Sequence, residues 1–412
     1  MKNRTIIIGG GIIGLSIAVT LKKRGVDVLL LDAGDPGMGA SWGNAGQIAV
    51  EQVYPIADAG MLPRLPAMLM DPLGPLRIDW RYLPKLAPWG LKALKNMLPA
   101  NAERSHRALL AINQVSMPAW QRFATDWGLQ SFLKTGGTLV ACEKPETERQ
   151  MRVLSERLNA LGVANQWLDR AALHEKEPAL ADSQRAGIHY EGTGYVTDPR
   201  DISLGLLKAL ADLQVPVEAH CRVHRAVPGG SGIRLMTDAG EMSAERVVLS
   251  AGAFSKELAR ELTGVSVTLD TERGYHLMLP KETQRLRQPL GSADRKFVMT
   301  PMSRGLRLAG TVEYAGLQAP PNMERARNLL PLAEAMLRKP LDASDATQWM
   351  GFRPTTADSV PVIDRVGNVL LAFGHHHLGL TQAAATASII EALYFDQPAP
   401  IDLEPFRLRR FA

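Results

Sequence analysis

RTIIIGGGIIGLSIAVTLKKRGVDVLLLD, residues 4–32, is the stretch whose reading decides the fold. Thr5 to Ile8 has the length and apolar character of a buried strand. Gly9, Gly11 and Gly14 follow in G-x-G-x-x-G spacing, and the apolar period predicts a helix from about Ile13 to Arg24. A second apolar run, Val26 to Leu31, is closed by Asp32. This is the pattern of a βαβ unit that binds a dinucleotide, and each special residue has a task in it. Gly9 permits the tight turn, Gly11 lets a pyrophosphate approach the backbone, and Gly14 lets helix and strand pack closely. The amides of Ile12 and Ile13 lie at the helix N-terminus, where N–H groups and partial positive charge face the phosphates. Asp32 is placed to accept hydrogen bonds from ribose hydroxyls. The spacing alone also fits a glycine-rich turn in some other α/β protein. The two strands, the helix and the acid together favour the dinucleotide site.

Working outward, the bulk properties narrow the class. A chain of 412 residues suggests two or three domains, and 46% hydrophobic content permits a large core. The net charge of +5, from 47 basic and 42 acidic residues, gives no argument for nucleic acid. It is compatible with an anionic substrate, cofactor or membrane surface. Cys142 and Cys221 are far apart and lack metal spacing, which fits a reduced, cytoplasmic setting. Lys2, Arg4 and the apolar run after them imitate a signal peptide, but glycines interrupt the run and Lys22, Lys23 and Arg24 close it. No other apolar stretch reaches about 18 residues, so no membrane-spanning helix is expected.

After Asp32, residues 33–46 form a loop rich in small residues. Its Ser41, Asn44 and Gly46 suit close backbone approach and favour a role covering the ligand over that of a plain surface loop. Residues 54–100 change character, with prolines that forbid one long helix. Within them, residues 82–98 combine Leu83, Leu86, Trp89, Leu91, Leu94 and Leu98 with Lys85, Lys92 and Lys95. That is a basic amphipathic helix, with its apolar face either on a membrane surface or packed on the rest of the protein. A long helix is predicted over 101–128, kinked or broken at Pro118. Strand candidates between 265 and 311 indicate a β-rich second domain, and a last helix is predicted from about Leu378 to Tyr394. Glycine-rich turns return after buried strands at Gly252 and Gly374, which suggests a cofactor domain assembled from separated segments.

Several blocks carry a resemblance over nearly the whole length. They are IIIGGGIIG with Asp32, SWGNAG from Ser41, GTGYVTDPRD from Gly192, VVLSAGAFS from Val247, ERGYHLML from Glu272, RGLRLAGTVEY from Arg304, GFRPTTADSVPVID from Gly351, and NVLLAFGHHHLGLT from Asn368. Together they resemble the FAD-dependent D-amino-acid oxidase and glycine oxidase superfamily, and within it the D-amino-acid dehydrogenases. The implied fold is α/β and α+β. A Rossmann-like FAD-binding domain would comprise 1–60, 196–264 and 345–412. A β-rich substrate domain would comprise 61–195 and 265–344, with helix 101–128 packed on the FAD side.

The resemblance implies an extended FAD, with its pyrophosphate on the first glycine turn and its ribose at Asp32. Ser41, Asn44, Ala45 and Gly46 match the loop that follows the cofactor. Val223 matches the strand position whose backbone meets the adenine, and Ala251 and Gly252 match a small-residue turn near the cofactor. Gly374, Gly379, Leu380 and Thr381 match the segment running past the flavin, where a helix N-terminus can stabilise negative charge.

Arg353 matches the arginine that pairs with the substrate carboxylate, and a guanidinium fork suits a carboxylate. The residues alone leave open that Arg353 instead satisfies a buried aspartate such as Asp358. Tyr275 is a candidate hydroxyl near the substrate, or a core tyrosine. Of His375, His376 and His377, one is expected at the pocket, taken as His376. Adjacent histidines point in different directions and no Cys/His pair completes a tetrahedral set, so no metal is expected.

The implied chemistry is oxidative deamination of D-amino acids, or of D-imino acids such as D-proline derivatives. Hydride passes from the α-carbon to flavin N5, and the imino acid hydrolyses to a 2-oxo acid and ammonia. The cofactor supplies the hard step, so no general base is assigned. Open alternatives are a narrow D-hydroxyproline dehydrogenase, a peroxide-forming oxidase and a flavin-holding non-catalytic subunit. An NAD-dependent dehydrogenase is argued against by the C-terminal segments. The lysines of 82–98 hint at membrane contact, a quinone or electron-transfer-chain acceptor, and a place at the inner face of the cytoplasmic membrane.

Overall fold

The structure, a computed structural model, describes residues 4–56, 60, 69–70, 74–230 and 232–412. Strands Thr5–Ile8 and Val28–Leu31 are buried along their whole length, as unbroken apolar runs require. They lie in a six-stranded sheet ordered 217–218, 28–31, 5–8, 246–249, 369–373, 362–366. Neighbours are parallel except the last pair. Successive residues feed opposite cores. Ile7, Leu30, Val248 and Leu370 pack under helices Ile12–Lys23, Pro99–Asp126 and Gly379–Tyr394. Ile6, Leu29, Val247 and Leu371 face helix Ser255–Thr263 and a three-stranded antiparallel sheet, 223–229, 232–237 and 240–244. A parallel sheet covered on both faces needs strands with no polar side, and its four central strands are apolar on both faces apart from Thr5 and Arg246 at their starts.

Helix Pro99–Asp126 continues through Pro118, so of the expected kink or break the break does not occur. Proline removes one backbone bond there, but the helix is held by its buried face, Leu109, Ile112, Trp120 and Phe123. Trp120 Nε1 also donates to the carbonyls of Leu380 (2.8 Å) and Thr381 (3.1 Å), tying this helix to the start of Gly379–Tyr394.

The second large sheet has nine strands and runs 347–356, 269–279, 305–314, 297–302, 290–292, 138–142, 186–190, 166–168, with 76–78 beside 305–314. Thr347–Thr356 pairs antiparallel with Leu269–Leu279 from Thr356 against Leu269 to Thr347 against Met278. The segment 345–412 therefore starts in this sheet rather than wholly on the cofactor side. Its ten-residue strand satisfies its backbone on Leu269–Leu279 before the chain crosses back at Val362.

Of the 54–100 insertion, residues 57–59, 61–68 and 71–73 lie outside the described residues. The amphipathic segment is a helix, Leu83–Asn96, that runs through Pro88. Leu86 and Ala93 are buried, and Trp89 Nε1 donates to the Thr355 carbonyl (3.0 Å). Leu91 is 69% and Leu98 57% exposed, so only part of the apolar surface packs inward.

Glu51, just past the short strand Gln47–Ile48, is buried. Its Oε1 accepts from Gln52 Nε2 (3.1 Å), while Oε2 has no partner among the described residues. Burial pushes this carboxyl up to about 7 from its ordinary 4.5. The folded state thus binds a proton that the unfolded chain releases at lower pH. The associated stability is full below about pH 4.5 and lost as the pH rises through about 7. Glu51→Gln should therefore exceed the parent in stability by on the order of 2–3 kcal/mol more at about pH 8 than at about pH 5. Urea unfolding at both pH values checks this; an unchanged difference would place the carboxyl in contact with water.

Candidate active site

At the opening turn, Gly9 has φ +102°, and a Cβ there would lie 2.6 Å from the Ser250 carbonyl oxygen. A Cβ on Gly14 would lie 1.9 Å from the Gly9 oxygen. Gly14 thus works as the spacing predicts, by letting the helix sit against the turn, and does not itself line a cavity. Around Gly11 there is space: the one atom near a Cβ would be Ser41 Oγ, at 3.3 Å.

The turn opens into a cavity of about 2150 Å³, lined by residues of both large sheets. A drug-sized ligand fills roughly 300–1,000 Å³, so there is room for an extended ligand and a second molecule. Gly9, Gly11, Ile12 and Ile13 line it. The amide of Ile12 donates to Ser41 Oγ (2.8 Å), so one first-turn N–H is capped by the chain itself rather than left open. Asp32 lines the same cavity. Its Oδ2 accepts from the Gly10 amide (2.6 Å) and its Oδ1 from the Gly34 amide (2.8 Å), which leaves further lone pairs on both oxygens. Val223, Ala251 and Gly252 are also at the wall.

The 41–46 loop contributes Ser41, Asn44 and Ala45 to the cavity, but not Gly46. The Gly46 amide donates to Asn44 Oδ1 (2.7 Å), and its carbonyl accepts from Val196 (2.7 Å), so it anchors the loop from behind. Three residues missed by sequence reasoning support the loop. Buried Arg307 donates through Nη1 to the carbonyls of Trp42 (3.1 Å) and Asn44 (2.7 Å). His276 Nδ1 donates to the Gly43 carbonyl (3.1 Å) and its ring stacks on Trp349 at 5.0 Å. Burial pulls His276 down to about 3, so it stays neutral. Trp349 lies against Gly43 and Gly351, where a Cβ would fall 2.2 and 2.0 Å from its ring. For His276 and Arg307 the detectable signal was a polar residue inside the apolar strands 269–279 and 305–314.

Gly374, Gly379 and Leu380 line the cavity, but Thr381 does not. Thr381 Oγ1 accepts from the Ala49 amide (3.0 Å), joining the last helix to the chain after the 41–46 loop.

Arg353 lines the cavity from the second sheet. Asp358 is not its partner: that carboxylate pairs with Arg410 at 2.8 Å. Arg353 Nη1 donates to the Thr311 carbonyl (3.2 Å), its one hydrogen bond to the described residues. The guanidinium lies over Gly274, where a Cβ would sit 2.2 Å from Nη2. Buried Glu272 is near enough to stabilise the cation, against desolvation that lowers its pKa. Glu272 itself accepts from the Tyr314 hydroxyl (2.8 Å), and burial raises its pKa. Thr311 holds φ +59°, a strained conformation for a β-branched residue, directly beside Arg353.

Tyr275 also lines the cavity, but its hydroxyl is committed. It donates to Glu313 Oε2 (2.5 Å) and accepts from the Asn322 amide (3.2 Å), and burial pushes it up to about 12. His376 lines the cavity too; its Nε2 accepts from the Thr356 amide at 3.0 Å, while its buried Nδ1 has no partner among the described residues. The third histidine, His377, shares the cavity wall and feels the charge of Arg353.

Comparison with known proteins gives a consistent result. The family model described as FAD dependent oxidoreductase (DAO) matches residues 4–393. A D-amino-acid oxidase of Bradyrhizobium diazoefficiens is 34% identical, over 98% of both chains. A D-amino acid dehydrogenase 2 of Pseudomonas aeruginosa is 30% identical, over 98% of this chain and 97% of that one. Among solved structures, glycine oxidase from Geobacillus kaustophilus superimposes with a TM-score of 0.76 at 21% identity, over the full length of both chains. L-Proline dehydrogenase from P. horikoshii gives 0.74 at 17%, over 100% of this chain and 98% of that one.

The cleft fits the FAD of that family. The open face at Gly11 admits a pyrophosphate, and the unspent lone pairs of Asp32 suit ribose hydroxyls. Asp32→Ala should weaken FAD binding by about tenfold to a hundredfold through lost charge-assisted hydrogen bonds. Flavin absorbance retained after gel filtration measures it; full retention would remove Asp32 from the cofactor site.

Proposed function

The chain belongs to the DAO family of FAD-dependent oxidoreductases, and from that premise we propose that it oxidatively deaminates D-amino acids. The observation that carries the proposal is Arg353, a cation on the cavity wall with most of its N–H donors unspent. A half-buried guanidinium with one carbonyl partner and one nearby carboxylate, Glu272, has donors left over for a further anion. An α-carboxylate engages them through two parallel charge-assisted bonds. The names of the relatives at 34% and 30% identity support D-amino acids as the substrate class.

When bound, FAD supplies the acceptor for the two electrons and the hydrogen leaving the α-carbon. The protein's share is orientation. Gly274 leaves room for the guanidinium, Thr311 fixes one of its nitrogens, and Glu272 balances its charge. Arg353 then fixes the carboxylate, which restricts the α-carbon to a small volume of the cleft. No residue need act as general base, because the substrate reacts as its free amine. The imino acid product takes up water to give the 2-oxo acid and ammonia.

Arg353→Leu should cost about 2–4 kcal/mol in kcat/KM with D-alanine and leave FAD content unchanged. Arg353→Lys, which keeps the charge but loses the fork, should fall between. Steady-state kinetics with an artificial acceptor measures both, and normal activity in the leucine variant would remove Arg353 from the substrate site.

The electron acceptor lies at a membrane in this account. Among the described residues no helix is long and apolar enough to cross one. Helix Leu83–Asn96 instead exposes Leu91 and Leu94 beside Lys92 and Lys95, with Trp80 and Leu98 exposed at its two ends. Trp80, Arg81 and Lys85 also border the cavity, so an apolar, basic surface adjoins its mouth. That arrangement supports peripheral contact with an anionic bilayer and a quinone acceptor. The holoenzyme should sediment with vesicles containing anionic lipid, and Leu91→Glu with Leu94→Glu should abolish this while leaving turnover with a soluble acceptor intact. Equal sedimentation of parent and variant would reject the surface.

A further inference from the structure

Three histidines follow Gly374, and their hydrogen bonds separate them. His375 Nε2 lies 3.1 Å from Thr386 Oγ1, and His376 Nε2 lies 3.0 Å from both the amide and the hydroxyl of Thr356. Neither ring can turn towards a ligand without breaking a buried contact. All three line the cavity, but His377 alone makes no side-chain hydrogen bond among the described residues, and it is half-buried on the same wall as Arg353.

Burial, and then the charge of Arg353, hold the His377 imidazole down to about 4, so it is neutral at working pH. A neutral imidazole offers one donor and one acceptor. A ligand that displaces water from such a group without pairing with it is disfavoured against one that pairs with it. Arg353 takes the carboxylate, so the substrate atoms near its neighbours are those carried by the α-carbon. The fixed charge of Arg353 also disfavours a cationic side chain in the same place.

We propose that His377 is a specificity-determining residue, resting on the D-amino-acid reading above. It selects D-amino acids whose side chain carries a neutral hydrogen-bonding group, a hydroxyl or a carboxamide, close to the α-carbon. The pocket thereby ranks such substrates above apolar ones of the same shape and above cationic ones.

D-Threonine and D-valine have nearly the same shape and differ in this group, so they form the test. Anaerobic flavin bleaching is followed in the holoenzyme and in His377→Leu and His377→Gln, with D-alanine as a third substrate and bound flavin as the check on folding. The wild type should prefer D-threonine by about tenfold or more in bleaching rate over apparent Kd. His377→Leu should bring that ratio close to one, and His377→Gln, which keeps a donor and an acceptor, should restore part of it. Bleaching by D-alanine without a preference for D-threonine overturns this inference alone. So does an equal loss for all three substrates in His377→Leu, which would put the imidazole on the shared α-amine. No bleaching by any of the three overturns the D-amino-acid reading and this inference with it.

Discussion

The arrangement depends on a close crossing of backbone at Gly9. There the first strand of the parallel sheet ends against Ser250, and the first helix begins against the Gly9 carbonyl, with no space for a side chain at residue 9 or 14. The contact holds the helix N-terminus over the C-terminal edge of the sheet. Ligands of open parallel sheets bind at this edge, because the strand ends and helix starts leave polar backbone unpaired there. Displacing the helix would move Gly11, Ile12 and the Ser41 loop bonded to Ile12 together.

The second sheet meets that edge with an unusual load of buried charge. Arg273, fully buried, donates to the carbonyls of Ala315, Gly316, Ala319 and Pro320. Arg307 fixes the Trp42 and Asn44 carbonyls, and Glu272 sits with Tyr314 beside Arg353. Each ion costs several kcal/mol to take out of water, and good hydrogen bonding offsets rather than exceeds that cost. Their effect is to fix loops in one position around the cleft. Arg353 has the fewest internal bonds of the three arginines and is the one facing the cavity.

How much could be read from the chain follows from the range of each interaction. The glycine turn, Asp32 and the apolar strands are local patterns, and they lie where their spacing placed them. Gly46 and Thr381 sit in the expected segments but face away from the cavity, because their bonds run to Val196 and Ala49, far off in sequence. Tyr275 and His376 line the cavity as expected, but Glu313 holds the Tyr275 hydroxyl and Thr356 holds His376 Nε2. The three adjacent histidines differ in their partners, Thr386 for His375 and Thr356 for His376, which lie too far along the chain for local sequence to signal. Trp349, His276 and Arg307 act on a loop more than two hundred residues away; His276 and Arg307 left the trace of polar residues in apolar strands, and Trp349 left none.

The central claim is that one cleft holds FAD against Asp32 and a D-amino acid by its carboxylate on Arg353. Anaerobic bleaching of the purified flavoprotein by D-alanine, L-alanine and ethylamine, each at the same concentration, tests it most directly. D-Alanine should bleach the flavin, while its mirror image and the amine lacking a carboxylate should leave it oxidised. Ethylamine bleaching as fast as D-alanine, or L-alanine doing so in its place, would contradict the account.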